Sequence, residues 1–508
     1  MRRKMPVPKF KSHPVEFDQH LLFPSNVYDL LAEDHDCFVY ADIFQHLDTA
    51  ELEATYHHRG QNAYHPRHIV SILIYAYSHG VFSSREIERR CRQDLAFMYI
   101  AQQHCPNFRV LSDFRKDHNE FFHGCFKQSV QLALELKMAS LGHISLDGSK
   151  FKADSSKHKA MSYGRLKELE EALTTEIEEL IERASRCDAE EDASYQNQSG
   201  YSVPDDLAFK QQRLEKIKAA KAALEAREEI QNPDQEIDDK KQISFADHDA
   251  RIMGKKGDFD YSYNAQISVD EDHQIIVGQH VSQNANDLQE VEPALKALNE
   301  ATDGQSVAKM SMDNGYCSGP NLKVLDEAKV DSYIATDRQE KAGKDDLASS
   351  DRKFVKADFS YLPEEDCFVC PAGERMISRG GNAAQKKNYR AASAVCSECA
   401  FQSRCSSSKK KAGREIRADE YESYRQAMNR KMEAAEAKAI YDRRKVIVEP
   451  AFGHIKNGGF RGFSLRGLKK VEGEFSLVCA AYNFKKMVKA ALTGAVCLND
   501  VKKAEYGV

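Results

Sequence analysis

The segment His143-Ile144-Ser145-Leu146-Asp147-Gly148-Ser149-Lys150-Phe151-Lys152 starts with an alternation of apolar and polar residues and ends in a lysine-rich run. Alternation with a period of two marks a half-buried strand, so a short strand ending at Asp147 is expected here. What precedes it is of another kind. From Phe17 to about Met138 the apolar residues recur at helical spacing, as in Ile69, Ile72, Leu73 and Ala76, and again in Phe126, Val130, Leu132 and Leu136. A helical N-terminal domain, 1–140, should therefore give way to strands just before His143. Strand signals return at Tyr261–Val269, Gln274–Val281, Val307–Met312 and Ser332–Ala335, with a helix at about Asp287–Asn299. Strands mixed with helices predict an α/β domain.

Working outward, the chain has 508 residues, enough for about three domains. Its formal charge of −6 conceals two opposed segments: Arg165 to Lys240 holds 11 basic and 21 acidic residues, Lys409 to Lys470 17 basic and 8 acidic. The first repels a phosphate backbone and the second attracts it. The acidic segment carries Leu166, Leu169, Leu173, Ile177 and Leu180, then Leu207, Leu214, Ile217 and Leu224, at coiled-coil spacing. A helical hairpin spanning about Gly164 to Glu229 is expected, inserted at 163–245 between a first part (141–162) and a second part (246–337) of the α/β domain. From 338 to 419 the pattern dissolves into Gly, Ser, Lys and Cys. Helices resume at about Glu420–Ile440 and Lys445–Ile455, inside a C-terminal part at 420–508. No run of 18 uncharged apolar residues occurs and the basic start lacks the apolar core of a signal peptide, so a cytoplasmic protein without a membrane span is expected.

Three acidic residues stand in telling surroundings. Asp147 and Asp313 each follow an apolar strand and precede a turn, Gly148-Ser149-Lys150 and Asn314-Gly315-Tyr316. Strand ends are where open α/β sheets bind ligands, and two carboxylates meeting there repel unless a cation lies between them. A hard divalent metal suits oxygen ligands. Glu449 lies within Val446-Ile447-Val448-Glu449-Pro450-Ala451-Phe452, flanked by Arg443, Arg444, Lys445 and Lys456, and a lone Glu in an apolar run needs a partner. In the N-terminal part, Ser84-Arg85-Glu86-Ile87-Glu88 and Leu111-Ser112-Asp113-Phe114-Arg115 read as starts of two basic helices that could dock on DNA in helix-turn-helix fashion, with a plain helical bundle as the rival reading.

These blocks, together with Tyr64-His65-Pro66, Tyr263-Asn264-Ala265-Gln266 and Ala481-Tyr482-Asn483, resemble in kind and order the signature blocks of the DDE transposases of bacterial insertion sequences. The resemblance implies an RNase H-like catalytic domain whose Asp147, Asp313 and Glu449 bind two Mg²⁺ (or Mn²⁺) ions for DNA cleavage and strand transfer. That family's glutamate block resembles Tyr, two residues, Arg, three residues, Glu, six residues, Lys. Lys456 fits, whereas Lys445 stands at the Arg position and Tyr441 lies one residue early. Lys150, Lys152, Lys157, Arg85, Arg115, Arg444, Lys445, Lys456, Arg461 and Arg466 are the expected DNA contacts. Asp247 and Asp249 are rival carboxylates, read as structural or substrate-positioning. The expected partners are terminal inverted repeats and target DNA, with a homo-oligomer in the DNA complex. A nuclease without strand transfer and an inactive DNA-binding descendant are the alternatives.

Cys367-x2-Cys370 and Cys396-x2-Cys399, followed by Cys405, give the spacing of zinc knuckles. Five thiols compete for four positions. Cysteines of the resembled transposases correspond to Cys370, Cys396, Cys399 and Cys405, which the resemblance implies as ligands of a structural Zn²⁺, with Cys367 as a substitute; free thiols are the alternative.

Overall fold

The computed structural model describes residues 26–56, 63–155, 160–194, 205–233, 235–255, 258–336, 353–378, 380, 387–406 and 413–498. Its main sheet is built from β1 (His143–Lys152), then, beyond a short pair β2 (Ala160–Ser162) and β3 (Gln242–Ser244), from β4 (Arg251–Lys255), β5 (Asp258–Asp270), β6 (Ile276–Ser282), β7 (Lys309–Met312) and β8 (Asp331–Ile334). β5 pairs antiparallel with β1 on one side and with β4 and β6 on the other. β7 runs parallel to β1, and β8 parallel to β7. The order is therefore β6-β5-β1-β7-β8, with β4 sharing the edge of β5.

β1 does not stop at Asp147, as expected from its pattern, but continues to Lys152. Its parallel partner stops first: the last β1–β7 pair is Leu146 with Met312, while Asp147 to Lys152 go on pairing with Ile267 to Ser262 of β5. An antiparallel ladder tolerates a polar run because one face can meet solvent. Asp147 thus marks the point where one neighbour is lost.

The acidic insertion forms two helices, Tyr163–Ser194 and Asp205–Gln231, closed at the base by the β2–β3 ladder. Leu166, Leu173, Ile217, Ala220 and Leu224 form the buried seam with Ile243, so the heptad pattern reports a true packing line. The cysteine-rich stretch departs from its structureless reading. It is an antiparallel sheet of β9 (Ser360–Leu362), β10 (Cys367–Val369), β11 (Arg375–Ser378), β12 (Lys387–Arg390) and β13 (Ile416–Ala418), in order β13-β12-β11-β10-β9. Strands of three or four residues are too short to display an alternation in sequence. Phe359, Phe368, Met376, Tyr389 and Ile416 supply its own core.

Where two helices were expected before the chain end there are three, Glu422–Glu433, Ala435–Ile447 and Glu449–Asn457. The second break, at Val448, precedes Pro450, which lacks the N–H a continuous helix would need. The last helix, Leu468–Leu492, is buried along much of its length and joins the N-terminal helices and the main sheet into one apolar core. Phe484 meets Phe44 edge-on at 6.2 Å, and a Cβ on Gly473 would come within 2.5 Å of the Asn119 Cβ, so the crossing with the helix Asn119–Glu135 requires glycine. Fully buried Asn483 ties the three parts together. Its Oδ1 accepts from Ile276 N at 2.9 Å while its Nδ2 donates to Ile276 O at 2.8 Å and Ser129 Oγ at 3.1 Å. Among the described residues no helix is long and apolar enough to cross a membrane.

Candidate active site

Asp147 lies where β7 ends beside β1, and Asp313 follows β7 directly, capping the turn Asn314–Tyr316 by accepting from Gly315 N at 2.6 Å. The carboxyl of Asp147 is pushed up to about 6, first by burial, with the nearby charges of Asp313 and Asp287 adding to it. Opposing them is Arg444, whose guanidinium lies 3.6 Å from Asp147 Oδ2 and 4.0 Å from Glu449 Oε1. Arg444 thus stands between Asp147 and Glu449, and Asp313 lies near enough for its charge to be felt at Asp147.

The glutamate block shows how its spacing can be off by one. Because a new helix starts at Glu449, the turn at Val448 absorbs a residue, and Arg444 reaches the carboxylates from the end of the preceding helix. Arg444 is 8% exposed and lies 5.8 Å from the Tyr441 ring centroid, while Tyr441 feels the charge of Asp313. Lys445 points to solvent. Arg444, and not Lys445, is thus the cation of this segment that stands beside the carboxylates. Lys456, on the Glu449–Asn457 helix, donates to Ser149 Oγ and sits 5.1 Å from the Phe151 ring. Burial lowers its ammonium below the usual lysine range, and Asp147 partly offsets this.

A fourth carboxylate, Asp287, belongs to the same site and was missed in the sequence because it lies in the loop before the helix Val291–Ala301, not at a strand end. Its Oδ1 accepts from Asn264 Nδ2 at 2.8 Å and Gln266 Nε2 at 2.7 Å, both from β5. Buried Glu290 fixes the loop, accepting from His280, Ser282 and Asn284. Of the rival carboxylates, Asp247 accepts from Tyr263 OH and from Gly467 N, and Asp249 from Leu468 N. These two anchor the start of the last helix.

Among the described residues no group of three or more His, Cys, Asp or Glu side chains stands in an arrangement that could hold a metal ion. The carboxylates neighbour one another through Arg444, and the Glu449 side chain is 56% exposed.

The expected cationic contacts fall into distinct settings. Lys150, Lys152, Arg461 and Arg466 are exposed around the far end of β1, where Phe463 N donates to Lys152 O at 2.8 Å. Within this group Lys152 pairs with Asp260 at 2.8 Å and Arg466 with Asp154 at 2.8 Å. Arg85 is exposed above the Phe108 ring. Arg115 requires correction: it is buried, donating to Tyr77 OH, Phe82 O and Ser84 Oγ, so its guanidinium holds the N-terminal helices together instead of facing DNA. The helix-turn-helix expectation fails for a related reason. The helix Leu95–Ile100 lies between Ser84–Gln93 and Phe108–Asp117, and the last begins at the Asn107 cap, ahead of Ser112. Lys157 lies outside the described residues.

Cys370, Cys396, Cys399 and Cys405 line one cavity of about 30 Å³ with Gly413 and Arg414. Burial raises the Cys396 and Cys405 thiols, and the neighbouring cysteines add to it. Arg414 N–H donates to Cys405, and a Cβ on Gly413 would fall 2.4 Å from Cys396 Sγ, so the glycine makes room for the thiol. Cys367 is apart from this group, its Sγ 3.9 Å from Glu365 Oε2.

Two family models match parts of the chain. Residues 25–117 match a transposase domain (DUF772), and residues 369–488 match a transposase DDE domain. The second match contains Arg444, Glu449, Lys456 and the four clustered cysteines, but neither Asp147 nor Asp313. No curated protein and no solved structure matches the chain. The two matches support a transposase identity in general.

Proposed function

We propose that this chain is the DDE transposase of an insertion sequence, cutting the ends of its element and joining them to target DNA. The observation that carries this reading is the meeting of Asp147 and Glu449 on the Arg444 guanidinium, at 3.6 and 4.0 Å, with Asp313 close enough to raise the Asp147 carboxyl. The sheet supports it. An antiparallel β6-β5-β1 unit continued by parallel β7 and β8 and flanked by helices is consistent with an RNase H-like domain, here interrupted between β1 and β5 by the acidic hairpin.

The donors are all carboxylate oxygens and one of them is disfavoured as an anion, which fits hard divalent cations such as Mg²⁺ or Mn²⁺. Asp147, Asp313 and Glu449 would hold them, Glu449 turning in from solvent. When bound, such ions lower the pKa of an attacking water or 3′-hydroxyl and stabilise the departing oxygen of an in-line phosphoryl displacement. Lys456, held between Ser149 and the Phe151 ring, presents its ammonium beside Asp147 to a scissile phosphate. Lys150, Lys152, Arg461 and Arg466 continue the positive track along the backbone, with Lys445 and Arg85 as further contacts. Cys370, Cys396, Cys399 and Cys405, which line one cavity, would bind a structural Zn²⁺ by drawing in around the ion from the positions they hold here. Pairing two DNA ends calls for at least a dimer.

The test is incubation of the purified protein with DNA carrying the ends of its element. Cleavage and joined products that require Mg²⁺ or Mn²⁺ and vanish in Asp313→Ala support the proposal. Cleavage without joining points to a nuclease, and binding without cleavage to an inactive descendant.

A further inference from the structure

Side chains alternate along β1, so Asp147, Ser149 and Phe151 share one face and Gly148, Lys150 and Lys152 the other, the face of Asn264 and Gln266. Arg444 and Lys456 approach Asp147 and Ser149, on the first face. Asp287 approaches on the second. A Cβ on Gly148 would come within 2.3 Å of Gln266 Nε2 and 3.0 Å of Asp287 Oδ1, and one on Gly315 within 3.3 Å of Asp287 Oδ2. Both glycines follow an aspartate of the proposed triad, by one residue and by two. Asp287 is wedged between the two backbones that carry Asp147 and Asp313.

A ring of hydrogen bonds closes around this wedge. Asn264 and Gln266 donate to Asp287 Oδ1. Tyr316, buried in the turn that Asp313 caps, donates its hydroxyl to Gln266 Oε1. Asn321 Nδ2 donates to both Tyr316 O at 3.0 Å and Asp287 O at 3.2 Å. Gln266 must direct its amide NH₂ at Asp287 to leave its oxygen for Tyr316, so the carboxylate fixes the orientation of the amide and, through it, the turn after β7.

We propose that Asp287 is a positioning residue that sets the separation of Asp147 and Asp313, acting as a hydrogen-bond acceptor from the opposite face of β1 and not as a cation ligand. The inference rests on the proposed triad. Its consequence is specific: asparagine at 287 can keep an oxygen facing Asn264 and Gln266, whereas alanine cannot.

The experiment measures Mn²⁺ binding by electron paramagnetic resonance, DNA affinity and single-turnover cleavage for the full chain and for Asp287→Ala, Asp287→Asn, Tyr316→Phe and Asp313→Ala, with melting temperature as the folding control. Asp287→Ala should weaken Mn²⁺ binding and slow cleavage by about 10- to 100-fold, with DNA affinity unchanged. Asp287→Asn should restore most of both. Tyr316→Phe, which keeps the buried ring, should lose several-fold in Mn²⁺ affinity and serves if the alanine variant folds poorly. Wild-type behaviour of Asp287→Ala or of Tyr316→Phe overturns the proposal. A defect in Asp287→Asn as deep as in Asp287→Ala also overturns it, because charge would then be the requirement. Should the wild type neither bind Mn²⁺ nor cut DNA, the triad reading itself fails and this inference with it. If wild type and Asp313→Ala behave as expected, failure is confined to Asp287.

Discussion

Replacing Asp147 by asparagine should make the cation-free protein more stable at neutral pH. The Asp147 carboxyl is raised from 3.8 to about 6 because it is buried beside Asp313 and Asp287, and Arg444 only partly relieves it. A raised carboxyl favours the protonated fold, so its contribution is fully present below the unfolded value near 3.8 and is lost as pH rises through about 6. Two units correspond to about 3 kcal/mol at 1.36 kcal/mol per unit, and solvent access to the side chain reduces this to about 1–2 kcal/mol. Asp147→Asn removes the penalty, since its amide does not ionise. Urea denaturation in EDTA should show the variant more stable than wild type by that amount at pH 7.5 and equal to it at pH 4. Added Mn²⁺ should stabilise the wild type more than the variant, reversing the order at pH 7.5. Equal or lower stability of Asp147→Asn at pH 7.5 in EDTA would show that ionised Asp147 does not destabilise the fold.

Arg444→Leu should act in the opposite sense, costing about 2–3 kcal/mol at pH 7.5 and less at pH 4, where Asp147 is neutral; a double-mutant cycle with Asp147→Asn should show the two effects coupled. Asn483→Ala should cost about 3 kcal/mol at any pH, because it strands the buried Ile276 N–H and C=O on β6; equilibrium unfolding measures it. Arg115→Lys should lower the melting temperature, by breaking the bonds to Tyr77, Phe82 and Ser84, whereas Arg85→Ala should weaken DNA binding and lessen its salt dependence with little effect on melting. Metal analysis should find zinc bound to the purified chain and lost in Cys396→Ser and Cys405→Ser but not in Cys367→Ser.

The strands that flank the site were legible because Ile144 to Asp147 and Val307 to Met312 alternate or run apolar up to an aspartate, and the hairpin because its leucines keep heptad spacing. What escaped has physical causes. β1 runs past Asp147 because β5 supports it, a tertiary effect absent from the local pattern of Gly148-Ser149-Lys150. Arg115 reads in the sequence as a surface cation near the start of a basic helix, yet Tyr77, Ser84 and a backbone carbonyl converge to bury it, and nothing local announces that. That Arg444 and not Lys445 faces the carboxylates goes with a helix break at Val448, for which Pro450 was the available sign. Asp287 follows Asn284-Ala285-Asn286, an ordinary loop sequence; only the facing side chains of Asn264 and Gln266, two residues apart on one face of β5, mark it out.

Whether Asp147, Asp313 and Glu449 gather around bound divalent cations can be tested by substituting Fe²⁺ for Mg²⁺ and adding ascorbate and peroxide, so that radicals cut the polypeptide beside the ion. Fragments ending near residues 147, 313 and 449 together are expected, suppressed by excess Mg²⁺ and by Asp313→Ala. Cutting that spares these three segments, or that persists unchanged in Asp313→Ala, would contradict that arrangement.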